Sequence, residues 1–506
     1  MMTKTPMDMT LYDLLIATRN DHNDALLAPG RQTVSYKQLF DNVLELATAL
    51  NSFGIGRGDR VAIVMGNGPE TVISFLAVAL CATAAPLNPN YKKEEFAFYY
   101  EDTKARALIT LPGSAAVAHE AVTPEMAIIQ AKPNADGTLS FELMKGDLAP
   151  QPTELAAPDD VAMILHTSGT TGKPKRVPIR HSNLVASARN IQLTYQLSPK
   201  DTALCIMPLF HIHGIVASML STLASGGKLI CPSGFNALEF WQWVDTYKPT
   251  WYSAVPTMHQ TLLSRADHNQ DIIQANPFRF IRSCSSPLPP VILERMEKTF
   301  NAPVLEAYGM SEAAHQMTSN PLPPAPHKSG SVGLGFGVQI GIMDEEGNLL
   351  ENGQLGEVVV KGDNIFQGYE GNPEANAEAF DNGWFRTGDQ GYKDEDGYLF
   401  LTGRFKEIIN RGGEKISPLE VDDVLLRHPA VASAIAFAVP SKVYGEDIHA
   451  AVVLNGTVEE KELRAYCAAH LADFKVPRKI HVLEEIPKGA TGKIQRIQMA
   501  KLLGIS

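Results

Sequence analysis

The chain has 506 residues, with 44 Lys plus Arg against 56 Asp plus Glu and a formal net charge of −12. That length holds about two to four domains and a large core. The acidic balance excludes a general nucleic-acid or anionic-membrane binder but leaves room for local phosphate sites. Five scattered cysteines (Cys81, Cys205, Cys231, Cys284, Cys467) without a CxxC pair exclude a disulfide framework and point to a reducing compartment.

Met1–Asp13 lacks the charged-then-apolar pattern of a secretory signal. The longest apolar stretch, Val72–Ala85, is too short to span a membrane. The C-terminal Gly504-Ile505-Ser506 is not the Ser-Lys-Leu peroxisomal address. A cytoplasmic location without membrane insertion is therefore expected.

Ser35 and Gln38 form a capping box, which predicts a helix ending at Gly54. Arg60–Met65 reads as a strand, Val72–Cys81 as a buried helix, Phe96–Asp102 as a helix and Ala107–Thr110 as a strand. This alternation predicts an α/β domain with parallel strands. Pro112–Pro158, rich in Ala, Pro and Gly, reads as a variable loop region. Val161–Leu165 is a buried strand, Ala203–Met207 a strand, and Ile215–Leu223 a buried helix stopped by Gly226-Gly227. Phe280–Ser283 and Val304–Ala307 are short strands running into polar loops. From Ser329 glycines and short strands such as Glu357–Lys361 predict a β-rich subdomain; the Gly333–Gly337 run lacks dinucleotide-site spacing. Gly403–Glu407 is a charged break. It divides a domain of residues 1–402 from a small α+β domain of residues 403–506, with helices at Pro418–Leu426 and Glu459–Leu471 and strands at Ser433–Val439 and Ala450–Leu454.

The chemistry concentrates first in Thr167–Lys175, where Thr167, Ser168, Thr170 and Thr171 alternate with Gly169 and Gly172 ahead of Lys173 and Lys175. Glycines admit backbone N–H groups close to an anion, hydroxyls add donors and lysines add charge, so the stretch describes a polyphosphate cradle at a strand exit. It is not a Walker loop: two residues, not four, separate the glycines, and Pro174 follows Lys173. Tyr308-Gly-Met-Ser-Glu312 offers an aromatic to stack on a purine and a carboxylate to hold Mg²⁺. Thr387-Gly388-Asp389 offers a carboxylate for ribose hydroxyls. Lys493 sits on a Gly-flanked loop, from which a lysine reaches a site where charge builds on phosphorus.

These stretches, in this order, resemble the motifs of the AMP-forming adenylating superfamily, which includes acyl-CoA synthetases, luciferases and peptide-synthetase adenylation domains. The resemblance implies the adenylate-forming fold: a large N-terminal domain of α/β and β-rich subdomains, and a mobile C-terminal domain. It implies ATP and CoA as co-substrates and Mg²⁺ as cofactor. The Thr167–Lys175 loop would hold the β- and γ-phosphates. Tyr308 would stack on adenine, with Glu306 and Ala307 in the same nucleotide motif. Ser311 would bond near the α-phosphate, and Glu312 would ligate Mg²⁺ with Thr170. Asp389 and Arg404 would meet ribose or phosphate, Lys406 would be the hinge, Gly412 and Gly413 would line the pantetheine tunnel, and Lys493 would be the adenylation lysine. Arg176 departs from the pattern, which usually has Gly there; it either strains the backbone or adds charge near the phosphates.

Where the family places its acyl pocket, this chain has His211, His213, Ser285, Ser286 and His315, with Arg282 nearby in sequence. In an extended segment His211 and His213 face the same way, and in a helical one His315 shares a face with Glu312. Imidazoles and hydroxyls suit a small acid with a second carboxylate, because a buried anion needs hydrogen-bonded partners. The strings around His166, Pro208–Gly214, Arg282–Leu288 and Glu306–His315 resemble the oxalate–CoA ligases of plants and fungi. That implies ATP-dependent, AMP-forming ligation of oxalate to CoA through an oxalyl-adenylate, with His211, His213, Ser285 and His315 on the acid, by a monomer or homodimer. A CoA ligase for another small carboxylic or dicarboxylic acid, an enzyme loading a carrier protein, and a nucleotide-binding regulator stay open. So does a zinc site at His211, His213 and His315.

Overall fold

In the computed structural model, residues 4–167, 174–488 and 494–505 are described. Four sheets organise these residues. A seven-stranded sheet runs Leu139–Lys145, Ala127–Pro133, Ala107–Thr110, Arg60–Ile63, Thr83–Pro86, Val161–Thr167, Lys175–Arg180. A nine-stranded sheet runs Leu334–Gly335, His315–Ser319, Val304–Met310, Phe280–Cys284, Trp251–Ala254, Thr202–Leu204, Lys228–Ile230, Asp24–Leu27, Val34–Ser35.

Both sheets are parallel at their centres, as short apolar strands separated by helices require. One apolar core continues through both. The helix Pro69–Cys81 is buried at every residue, which explains its near-continuous apolar composition. Its one acid, Glu70, pairs with Arg31 at 2.7 Å. The capping box at Ser35 forms, with Gln38 N–H donating to Ser35 Oγ at 3.3 Å, and starts the helix Tyr36–Ser52.

Residues 112–158 are more ordered than their composition predicts. They hold a short helix, Ala116–Glu120, and the antiparallel hairpin Ala127–Pro133 with Leu139–Lys145. Ala127, Ile129 and Ala131 alternate inward; two of the three are alanine, so the period-2 signal was faint. The helix expected at Ile215–Leu223 starts earlier, as a π-helical stretch His213–Leu220 continued by Ser221–Ala224.

A five-stranded antiparallel sheet follows, built from Val338–Met343, Gly356–Gly362, Phe380–Asp381, Trp384–Lys393 and Leu399–Arg404. The last five-stranded sheet comprises Ile409–Arg411, Glu414–Ile416, Val431–Ser441, Gly445–Leu454 and Lys479–Val482, with Pro418–Leu426 and Glu460–His470 helical. It has its own core. No helix among the described residues is long and apolar enough to cross a membrane.

Candidate active site

The strands Val161–Thr167 and Lys175–Arg180 pair antiparallel, with Thr167 opposite Lys175 and His166 opposite Arg176. Ser168, Gly169, Thr170, Thr171, Gly172 and Lys173 lie outside the described residues, as does Lys493. The pleat sends Lys175 and Arg176 to opposite faces. Lys175 Nζ lies 4.5 Å over the Tyr369 ring. Arg176 donates to the Asp102 carboxylate at 2.8 Å and its carbonyl at 2.7 Å. Asp102 also pairs with His166 at 2.8 Å. Arg176 therefore adds no charge on the Lys175 face. It ties the hairpin to the helix Lys93–Thr103 and, through the Glu370 carbonyl at 3.4 Å, to the segment carrying Tyr369.

The strand Val304–Met310 ends in a one-turn 3₁₀ helix, Ser311–Ala313, and the chain reverses into His315–Ser319. Gly309 permits this reversal: a Cβ there would fall on the His315 carbonyl. Glu312 is buried and accepts from the Tyr369 hydroxyl at 2.9 Å. Burial pushes its carboxyl above the usual range, while a backbone N–H hydrogen bond, the Tyr369 hydroxyl, Arg404 and Lys175 pull it back. A buried carboxylate fits an oxygen-seeking cation such as Mg²⁺. Ser311 is half-buried beside it.

Tyr308 is buried and its hydroxyl donates to Asp389, which also accepts from Arg404 Nε at 2.8 Å. Asp389 and Arg404 are cross-strand partners, so the antiparallel register itself sets this pair. Thr387 Oγ1 accepts from Asp389 N–H at 3.1 Å. Ala307 is buried between Cys284 and Ser319 in the sheet. The Glu306 carboxyl accepts from the backbone N–H groups of Leu288 at 3.2 Å and Gly330 at 3.3 Å. Burial raises it to about 8, so it is mostly protonated at neutral pH.

The acid-side residues meet around a group that sequence reasoning left outside the site. Arg282, in the strand Phe280–Cys284, is fully buried. Its Nε donates to the Tyr195 hydroxyl at 2.9 Å, Nη1 to Ser253 Oγ at 3.1 Å and Nη2 to Gln316 Oε1 at 3.2 Å. Nη1 lies 3.4 Å from His213 Nε2, and Nη2 3.5 Å from His315 Nδ1. Among the described residues no carboxylate pairs with it. Taking a charge out of water costs on the order of several kcal/mol, offset here by five neutral acceptors. The available signal was a lone charge within an apolar strand.

His213 Nδ1 lies 3.1 Å from Ser285 Oγ, and its Nε2 2.6 Å from Ser253 Oγ. The His213 and His315 rings sit edge to face at 5.0 Å. Ser285 and His315 both have positive φ, 77° and 96°. Such backbone costs about 1–3 kcal/mol per non-glycine residue and concentrates where geometry serves function. Two expectations change here. The segment at His211 is not extended, because Ile212 is helical; His211 Nδ1 accepts from the His213 N–H at 3.2 Å. His315 does not share a helix face with Glu312; the reversal at Ala314 (φ 43°) brings it to Arg282. Ser286 Oγ turns to the Ser285 carbonyl at 2.8 Å. Among the described residues no three His, Cys, Asp or Glu side chains group as a metal site, against zinc at His211, His213 and His315.

Lys406 is exposed in the turn Phe405–Glu407. Gly412 and Gly413 (φ 63° and 100°) form the two-residue hairpin turn between Ile409–Arg411 and Glu414–Ile416, a geometry that needs positive φ at both positions. Gly412 N–H donates to the Tyr444 carbonyl at 2.9 Å.

Comparison with known proteins gives the family. Residues 16–370 match the AMP-binding enzyme family and residues 420–493 the AMP-binding enzyme C-terminal domain. The chain is 46% identical to the oxalate–CoA ligase of Arabidopsis thaliana over 96% of this chain and 97% of that protein. It is 41% identical to the oxalate–CoA ligase of Saccharomyces cerevisiae, over 97% and 98%. ATP-bound MatB from Rhodopseudomonas palustris superposes with a TM-score of 0.86 at 27% identity, covering 98% of each chain. With both domains matched in order, the chain belongs to the AMP-binding, adenylate-forming enzyme family.

Proposed function

We propose that this enzyme joins oxalate to CoA in two ATP-driven half-reactions. The observation that carries the reading is the acid-side cluster: a fully buried Arg282 that pairs with no carboxylate among the described residues, faced by His213 and His315. A buried cation with no counter-ion among the described residues favours an anionic guest, and a small dicarboxylate brings one charge for the cluster and a second carboxylate for the chemistry. The 46% and 41% identical relatives, both oxalate–CoA ligases, support oxalate as that acid.

In the first half-reaction an oxalate oxygen attacks the α-phosphorus of ATP, forming oxalyl-adenylate and releasing pyrophosphate. Residues Thr167–Lys175 hold the leaving phosphates, and Lys493 stabilises charge at phosphorus. Tyr308, Asp389 and Arg404 hold the nucleoside, and Ser311 bonds near the α-phosphate. Glu312 and Thr170 would hold Mg²⁺, which when bound neutralises phosphate charge. These are positioning and electrostatic roles. In the second, the CoA thiolate attacks the adenylate carbonyl and AMP leaves. Residues 403–506 act as a mobile domain turning at Lys406, exchanging Lys493 for Gly412-Gly413 beside the site. His213, Ser285 and His315 contact the acid, with His211 setting the start of the His213 helix.

The test is product identity. With MgATP, CoA and oxalate, the enzyme should release AMP and pyrophosphate in equal amounts and form oxalyl-CoA, seen by mass. Release of ADP and phosphate, or AMP without thioester, would overturn the reading.

A further inference from the structure

Residues 363–370 form a strap between the strand Gly356–Gly362 and the helix Pro373–Ala379, and three asparagines fix its backbone. Asn183 Nδ2 donates to the carbonyls of Asp363 at 2.8 Å and Ile365 at 3.0 Å. Asn364 Nδ2 donates to those of Ala313 at 2.8 Å and Gln316 at 3.0 Å. Asn376 Oδ1 accepts from the Tyr369 N–H at 2.6 Å, and its Nδ2 donates to the Tyr369 carbonyl at 2.9 Å. The strap also bonds to both charged segments of the nucleotide side. Phe366 N–H donates to the Glu312 carbonyl at 2.8 Å, and Glu370 N–H to the carbonyl of Arg176, next to Lys175, at 3.2 Å. The Tyr369 side chain repeats the link. Its hydroxyl donates to Glu312 Oε1 at 2.9 Å, while its ring lies 4.5 Å under Lys175 Nζ. Phe366 braces that ring at 4.9 Å.

We propose that Tyr369 is a positioning residue that keeps Lys175 and Glu312 apart, so that the lysine stays available to the polyphosphate of ATP and the carboxylate to a divalent cation. This rests on the reading of those two residues as phosphate and metal ligands. Lys175 stands near enough for its charge to counter the effect of burial on the Glu312 carboxyl. Opposite charges that close in a buried site pair with each other unless something holds them apart. Among the described residues no ion pair joins these two.

Tyrosine meets both needs at once. Its electron-rich face attracts the ammonium group, and its hydroxyl donates to the carboxylate. Neither contact is an ion pair, so an arriving phosphate or cation joins or displaces it readily. Phenylalanine keeps the face and leaves Glu312 without this donor. Leucine keeps neither, and Lys175 then closes on Glu312. That pairing neutralises each group for its ligand, so the loss of one side chain weakens the binding of two ligands.

The experiment reads binding with no acid present, so nothing turns over. ATP is titrated by calorimetry in EDTA, and Mn²⁺, in place of Mg²⁺, by electron paramagnetic resonance with ATP bound, each on the whole chain checked by thermal melting. Tyr369→Phe should weaken Mn²⁺ binding about tenfold, the scale of one hydrogen bond to a charged group, and leave metal-free ATP binding within about twofold of wild type. Tyr369→Leu should weaken both by about tenfold or more. Adding Glu312→Gln to Tyr369→Leu should bring metal-free ATP binding back to within about threefold of the Glu312→Gln single variant, because Lys175 then has no carboxylate to pair with. A folded Tyr369→Leu protein that binds ATP as wild type does, or whose loss persists in the double variant, would overturn the spacer. If Tyr369→Leu does not fold, Tyr369→Phe carries the test: equal losses of Mn²⁺ and ATP binding, or no loss of either, would overturn it. A wild type that binds neither ATP nor Mn²⁺ would instead overturn the assignment of Lys175 and Glu312 beneath it.

Discussion

The nucleotide side and the acid side of this site treat charge in opposite ways. On the nucleotide side charges come in sets: Asp389 with Arg404 and the Tyr308 hydroxyl, Glu312 within the field of Lys175 and bonded to Tyr369. On the acid side one guanidinium stands among neutral groups. The first arrangement suits a ligand that brings both phosphates and a cation. The second suits a bare anion. The proposed function therefore assigns the chemistry of activation and the choice of acid to different residues, and mutations should separate them.

The largest separation should come from Lys493→Ala. Adenylation should fall by about 10³-fold, the scale of losing one pre-placed donor at a developing charge, while thioester formation from supplied oxalyl-adenylate persists. A Lys406→Pro change should do the reverse. Equal loss in both half-reactions would break the two-conformation account. Next, Glu312→Gln should lower kcat by about 10²-fold with any acid, leaving the ranking of acids unchanged; a changed ranking would show that the two sides are coupled.

Arg176→Gly probes the support behind the nucleotide side. It removes the bonds to Asp102 and Glu370 and should destabilise the protein by about 1–3 kcal/mol in a thermal or denaturant melt. The ATP KM should rise only a few-fold, because Arg176 faces away from Lys175.

The smallest effect is the pH dependence of stability at Glu306. Its carboxyl is raised to about 8 in the folded chain, above its value in an unfolded one. Its protonated form is the one the fold holds, so its contribution is fully present below about pH 4.5 and is lost as pH rises through about 8. Glu306→Gln should flatten this slope: relative to wild type the variant gains stability between about pH 5 and 8. A parallel pH profile would show that Glu306 is ionised in the fold.

Much of this architecture was legible in the chain. The capping box at Ser35 and the strand at Ala107–Thr110 stand where local chemistry puts them. Tyr308, Glu312 and Asp389 were singled out by the resemblance of their motifs to those of the adenylating superfamily, and the fold joins Tyr308 to Asp389 by a hydrogen bond. What was not legible depended on long-range geometry. Arg282 meets His213, Ser253 and His315 from three other elements. The one local sign was a lone charge within an apolar strand, which does not say what it meets. The π-helical start at His213 and the reversal at Ala314 likewise redirect both histidines in ways that a helical or extended repeat does not anticipate.

The most direct test of the account is the ranking of acids. Pyrophosphate release with MgATP and CoA is measured over oxalate, malonate, acetate, a medium-chain fatty acid and coumarate, each as kcat/KM. The account predicts oxalate first, ahead of malonate by about tenfold or more and of the monocarboxylates by more still. A medium-chain or aromatic acid ranked above oxalate would leave the fold and the nucleotide side standing and contradict the assignment of the buried cation to the acid.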